Sequence, residues 1–85
     1  MSRFDVLVEV TLRSGIADPQ GSTIERALPA LGFDGIERVH VGKAIRFVME
    51  ADDESSARGA AEELAKRFLS NPVIEDAAVT VVASS

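Results

Sequence analysis

With 85 residues, 46% of them hydrophobic, the chain is long enough for one small core and too apolar to be disordered. A net charge of −5 excludes a binder of the phosphate backbone, which needs a basic stripe, and opposes docking on an anionic membrane. There is no cysteine, tryptophan or tyrosine, so disulfides and thiolate metal sites are excluded and the core is aliphatic.

Residues 3–12 open the chain with Phe4, Val6, Val8, Val10 and Leu12 alternating with Arg3, Asp5, Leu7, Glu9 and Thr11. Period two predicts a half-buried strand, and one wet face predicts an antiparallel sheet. Leu7 is the apolar residue on the polar side. Arg13-Ser14-Gly15 follows as a turn. Asp18 predicts a helix cap and Pro19 the first helical position. Ile24, Ala27, Leu28 and Leu31 then form one apolar stripe, and Gly32 is expected as a left-handed stop. Pro29 falls inside that helix and predicts a bent or shortened end.

In residues 36–51 the large apolar side chains Val39, Val41, Ile45, Phe47 and Met49 are all odd-numbered. A two-residue turn at Gly42-Lys43 would scatter them over both faces. A three-residue loop over Gly42–Ala44 keeps them together, and so does one long strand bent at Gly42. Both readings stand. Asp52, Asp53 and Glu54 open a second helix, with Lys66 and Arg67 at its far end complementing the helix dipole. Its stripe is Ala57, Ala60, Ala61, Leu64 and Phe68, widened by Ala65 and Leu69. Glu62–Lys66 and Glu63–Arg67 are i,i+4 pairs. Asn71 is the expected left-handed residue after it, and Pro72 prevents continuation. Residues 77–82 are the last strand.

The order β-α-β(β)-α-β predicts an α+β two-layer sandwich, an antiparallel sheet with two helices on one face. It is ferredoxin-like if residues 36–51 form a hairpin. The chain reads as a single domain over residues 1–85, frayed only at Ala83-Ser84-Ser85. No apolar run approaches the ~18 residues of a membrane span, and the start lacks a signal-peptide core. The expectation is a soluble, cytoplasmic protein. At this size a chain buries only about 60–65% of its unfolded surface, so oligomerisation is a natural supplement.

No constellation of residues carries chemistry. His40, the only histidine, alternates with valines and has no cysteine or second histidine to share a metal. Asp52-Asp53-Glu54 lacks the spacing of a calcium loop and reads as helix-start acids. The glycines form neither GxGxxG nor a P-loop. The serines have no base arranged beside them. These features point to a binding or assembly module. Two other readings are a ferredoxin-like regulatory domain that binds a small metabolite at a dimer interface, and a small dimeric enzyme using one carboxylate as base.

Three segments carry a resemblance. The first is Thr11-Leu12, Gly15 and Asp18-Pro19-Gln20-Gly21, running into Ile24-Glu25-Arg26-Ala27-Leu28 and Leu31-Gly32-Phe33. The second is Val39-His40-Val41-Gly42-Lys43 with Ile45. The third is residues 69–76, LSNPVIED. In this order and spacing, over nearly the whole chain, the sequence resembles the PurS family of small subunits of phosphoribosylformylglycinamidine synthase. Ala17 and Pro29 depart from the family pattern without touching a catalytic role.

The resemblance implies a non-catalytic subunit that joins a large ATP-using synthetase subunit to a glutaminase subunit. The complex makes the amidine of formylglycinamide ribonucleotide, with ammonia drawn from glutamine. It implies that this chain binds no cofactor alone, while the complex uses ATP, Mg and glutamine. It also implies a homo-oligomer, dimer or tetramer, with no nucleic-acid or membrane partner. Asp18, Gln20 and Gly21 at the helix start, Gly42 and Lys43 at the turn, and Asn71 and Pro72 at the exit are the expected partner contacts. Leu7 and Val48, on the polar sheet face, are further interface candidates.

Overall fold

Strand β1, Ser2–Leu12, is the centre of a three-stranded antiparallel sheet in the order β2-β1-β3. The computed structural model describes residues 1–84. The inward residues Phe4, Val6, Val8 and Val10 are buried, as the alternation requires. Strand β2, Lys43–Ala51, sets Ile45, Phe47 and Met49 opposite Val8, Val6 and Phe4. Strand β3, Glu75–Ala83, sets Val79 and Val81 opposite Val8 and Val6. All the large odd-numbered residues of β2 therefore share the core face.

Neither reading of residues 36–51 describes the observed segment. The strand begins at Lys43, and residues 36–42 lie outside the ladder. There is no hairpin, and no long strand bent at Gly42. The reason is that Val39 and Val41 direct their N–H groups to side-chain carboxylates of the first helix instead of to a neighbouring strand.

Helix α1, Pro19–Ala27, is followed by a 3₁₀ turn over Pro29–Leu31 and by Gly32 at φ 90°. The break at Pro29 and the left-handed stop are as predicted. Of the two helices expected over the sheet, helix α2, Glu54–Leu64, lies on it. Helix α1 packs instead against residues 39–41, and its only buried residue is Gly21. Ile24 of its stripe is 45% exposed and Leu31 69% exposed. The molecule is correspondingly elongated, 53 × 30 × 15 Å. Its radius of gyration is 16.6 Å, against about 12 Å for a compact chain of this length.

Helix α2 meets the sheet through Ala57, Ala61 and Ala65, all essentially fully buried. Small side chains let the helix axis approach the strands closely. The Asp53 carboxylate caps the helix by accepting the Ser56 N–H at 2.8 Å. Arg58 Nη1 donates to the Val79 carbonyl at 3.0 Å, tying α2 to the edge strand. Past Leu64 the helix widens into a π-turn over Ala65–Leu69. Ser70 closes it, its N–H and hydroxyl both donating to the Ala65 carbonyl, at 2.9 and 2.8 Å.

The wide turn changes which residue faces in. Leu69 packs on the core, while Phe68, expected in the stripe, is 82% exposed. Nor does Asn71 take the left-handed conformation: Ser70 ends the helix in extended backbone, and Asn71 Oδ1 accepts the Val73 N–H in a local turn. The Glu63–Arg67 pair forms at 3.2 Å. At the chain end, Ala83 belongs to β3 and Ser84 donates its N–H to Arg3, so neither frays, while Ser85 lies outside the described residues.

Two substitutions in α2 test this packing in opposite directions. A Cβ at Gly59 meets nothing within 4 Å, so Gly59→Ala is expected to stabilise by about 0.8–1 kcal/mol through helix propensity. Ala61→Leu overpacks the helix–sheet contact and is expected to cost about 1–3 kcal/mol. Urea unfolding followed by circular dichroism measures both.

Candidate partner-contact surface

The end of the sheet formed by Leu12, Lys43 and Glu75 carries the residues singled out above. Helix α1 starts there because Asp18 supplies a carboxylate that can point two ways. Oδ1 accepts the Gly21 N–H at 2.9 Å, the expected cap. Oδ2 accepts the Val41 N–H at 2.8 Å, across 23 residues of sequence. Glu25, two turns further along, accepts the Val39 N–H at 3.0 Å. Two carboxylates of one helix thus hold an extended strap, residues 39–41, by its alternate N–H groups.

Gly21 lets the two elements approach. A Cβ there would collide with the Val39 carbonyl. Gly42 plays the same part where the strap enters β2, since its Cβ would fall 2.7 Å from the Val10 carbonyl oxygen. Arg38, just before the strap, sits at φ 58°, a conformation that ordinary side chains rarely adopt. The strain falls on the residue that redirects the chain into the strap.

The Asp18 side chain is only 7% exposed. The Gly21 and Val41 N–H donors hold its carboxyl below the ordinary carboxylate range, against the opposing effect of burial. His40 Nδ1, 3.5 Å from Oδ2, adds to the same effect. This places His40 beside the clip and not on a strand face. The Asp53 carboxyl is lowered in the same way by the Ser56 N–H.

Five of the seven expected contacts therefore come together. Gln20, Gly42 and Lys43 line one recess of about 160 Å³, with Val41 and Glu75 on its walls. Asp18 and Gly21 build the helix start beside it. Asn71 and Pro72 belong to a neighbouring loop. Pro72 lines a second cleft of about 280 Å³, with Arg13, Lys66, Ser70, Glu75 and Asp76 around it. Arg13 ties that loop to β1: its N–H donates to the Ile74 carbonyl at 2.8 Å, and its guanidinium pairs with Asp76 at 3.2 Å. Glu75 lines both hollows, so the two groups of residues form one continuous end of the molecule. Leu7 and Val48 are on the opposite, outer sheet face, where Val48 is 49% exposed.

Glu25 and Arg38 are the residues that sequence reasoning missed. Glu25 lies off the apolar stripe of α1, and no local pattern joins it to an amide 14 residues away. Among the described residues no three histidine, aspartate or glutamate side chains gather as a metal ion would require. The arrangement offers a shaped, hydrogen-bonded surface.

Gly21→Ala should destabilise by more than about 1 kcal/mol although alanine is the better helix former, because the strap has to move. Hydrogen exchange should show protection lost at the Val39 and Val41 amides. Acid unfolding tests the clip. A carboxyl lowered in the folded state contributes stability that is full above its unfolded pKa, about 3.9, and lost as pH falls through the folded value. The native chain should therefore lose more stability below about pH 4 than Asp18→Asn does, and the two profiles should run parallel above it.

Residues 5–83 match the family model described as PurS, phosphoribosylformylglycinamidine (FGAM) synthase. The chain is 45% identical over 74 residues to the PurS subunit of that synthase from Mycobacterium leprae, covering 87% of this chain and 90% of the relative. The crystal structure of Methanocaldococcus jannaschii PurS superposes with a TM-score of 0.87 at 35% identity, covering 96% of this chain and 99% of that one. A chain in the structure of PurLQS from Thermotoga maritima also superposes with a TM-score of 0.87, at 30% identity, with 96% of this chain and 100% of that one covered. Sequence and fold agree over nearly the full length, and the chain belongs to the PurS family of phosphoribosylformylglycinamidine synthase.

Proposed function

We propose that this chain is the non-catalytic small subunit through which a large ATP-using synthetase subunit and a glutaminase subunit are joined. Ammonia released from glutamine then reaches the site where formylglycinamide ribonucleotide becomes its amidine without loss to water. ATP, Mg and glutamine belong to the partners, and this chain contributes surface. The observation that carries the reading is the fit to the PurLQS structure, where the whole of a chain inside an assembly superposes on this fold. The reading also places the protein in the cytoplasm, where soluble nucleotide synthesis runs, and takes residues 1–85 as one working unit.

The contact surface in this reading is the sheet end that carries Asp18, Gln20, Gly21, Gly42, Lys43, Asn71 and Pro72. The shape of that end is fixed by hydrogen bonds from backbone N–H groups to the Asp18 carboxylate and to backbone carbonyls, and by one ion pair, so it is set before a partner arrives. The bare stripe of α1 and the elongated outline support a homo-oligomer, dimer or tetramer.

Glutamine- and ATP-dependent amidine formation by the two larger subunits should require added chain. Full activity and normal assembly without it would overturn the reading. Lys43 is exposed and lines the recess. Lys43→Glu should raise the concentration of chain needed for half-maximal activity about tenfold, equivalent to about 1.4 kcal/mol of binding. Its unfolding midpoint should stay unchanged.

A further inference from the structure

Between the stop of α1 and the strap runs a span without backbone anchors, Asp34-Gly35-Ile36-Glu37-Arg38. On one side of it the Phe33 N–H donates to the Leu28 carbonyl at 3.0 Å, and on the other the Val39 N–H donates to Glu25. Residues 34–38 lie in neither helix nor strand, and all are exposed. Among the described residues none of their N–H groups has a hydrogen-bond acceptor. Exposed tips of this kind are where a folded chain is most open to attack.

Asp34 is chemically singular among the aspartates of the chain. An aspartate carboxyl, or an asparagine amide, can be attacked by the nitrogen of the following residue to close a succinimide ring. Asp18 and the lone asparagine, Asn71, precede prolines, which have no N–H to give up. Asp5 and Asp76 lie in strands, and Asp53 is engaged as the cap of α2. Asp52 is followed by Asp53, whose side chain crowds the nitrogen. Asp34 is followed by glycine, and among the described residues its carboxylate has no ion-pair or hydrogen-bond partner.

Gly35 matters in two ways. It brings no Cβ to hinder the attacking nitrogen, and at φ 81° it holds a left-handed turn that other residues adopt only at a cost. A Cβ built there would meet nothing within 4 Å, so the surroundings leave room for the ring.

We propose that Asp34-Gly35 is a covalent modification site, at which the aspartyl link isomerises to isoaspartate. First the Gly35 nitrogen bonds to Asp34 Cγ, and the carboxyl hydroxyl leaves with the amide proton as water. Water then adds to the former main-chain carbonyl of Asp34, and the bond from that carbon to the Gly35 nitrogen breaks. The backbone now runs through Cγ, one methylene longer, and the α-carboxylate is free. Addition of water at Cγ restores aspartate, and neither path needs an oxidant or a reductant. The exposed α-carboxylate on an unanchored span is the substrate class of carboxyl methyltransferases that use S-adenosylmethionine, which names the kind of partner the site takes. The added methylene falls between the stop of α1 and Arg38, the residue at φ 58°, so the isomer lengthens the connection that leads into the strap.

The test ages the full folded chain at neutral pH and physiological temperature, beside a synthetic peptide of residues 32–38. Methyl transfer from labelled S-adenosylmethionine by a purified isoaspartyl carboxyl methyltransferase counts the product, and electron-transfer fragmentation in a mass spectrometer locates it. The folded chain should isomerise at Asp34 no more than about tenfold slower than the peptide, a limit equivalent to about 1.4 kcal/mol on the barrier. Asp34→Glu keeps the charge but would have to close a larger ring, and it should lose methyl acceptance. A folded chain slower than that limit shows that the fold protects the pair and overturns the proposal. Methyl acceptance located at another residue, or surviving in Asp34→Glu, overturns it as well.

Discussion

The Asp18 carboxylate is the group on which the unusual parts of this fold depend. One oxygen does local work, capping α1 through the Gly21 N–H. The other reaches the Val41 N–H and turns residues 39–41 from a potential strand into a strap. Buried backbone donors have to be satisfied somewhere. Here two carboxylates satisfy them, Asp18 at Val41 and Glu25 at Val39, so the strap needs no ladder, the sheet stops at three strands, and α1 is held away from the core. The elongated outline and the bare apolar stripe follow from that choice of acceptors.

The other half of the molecule obeys simpler rules. Strand β1 is paired on both sides and its inward residues are sealed by the alanine face of α2. Its register follows from hydrophobic alternation, because a slip of one residue would turn Phe4, Val6, Val8 and Val10 out to water. The body formed by β1, β2, β3 and α2 holds every buried residue except Gly21 and Ala65, the latter in the π-turn that continues α2. The chain thus divides into a body with a core of its own and an arm, residues 13–42, whose order rests on polar clips.

This division also explains what was legible in the sequence. Period-two patterns, the Asp18-Pro19 helix start, the break at Pro29 and the stop at Gly32 are local signals, and each appears where its residues predict. The strap was illegible because Val39-His40-Val41 carries a strand pattern. Only the arrival of Glu25 and Asp18 from the helix tells it from a strand. Phe68 misled for a related reason. A helical stripe extrapolated at 3.6 residues per turn fails where the turn widens to π, and no residue type announces that change. On the partner-contact surface the residue types were readable as motifs. Their convergence on one end of the sheet was not, because it depends on the Arg13–Asp76 pair and on β1 and β3 lying side by side.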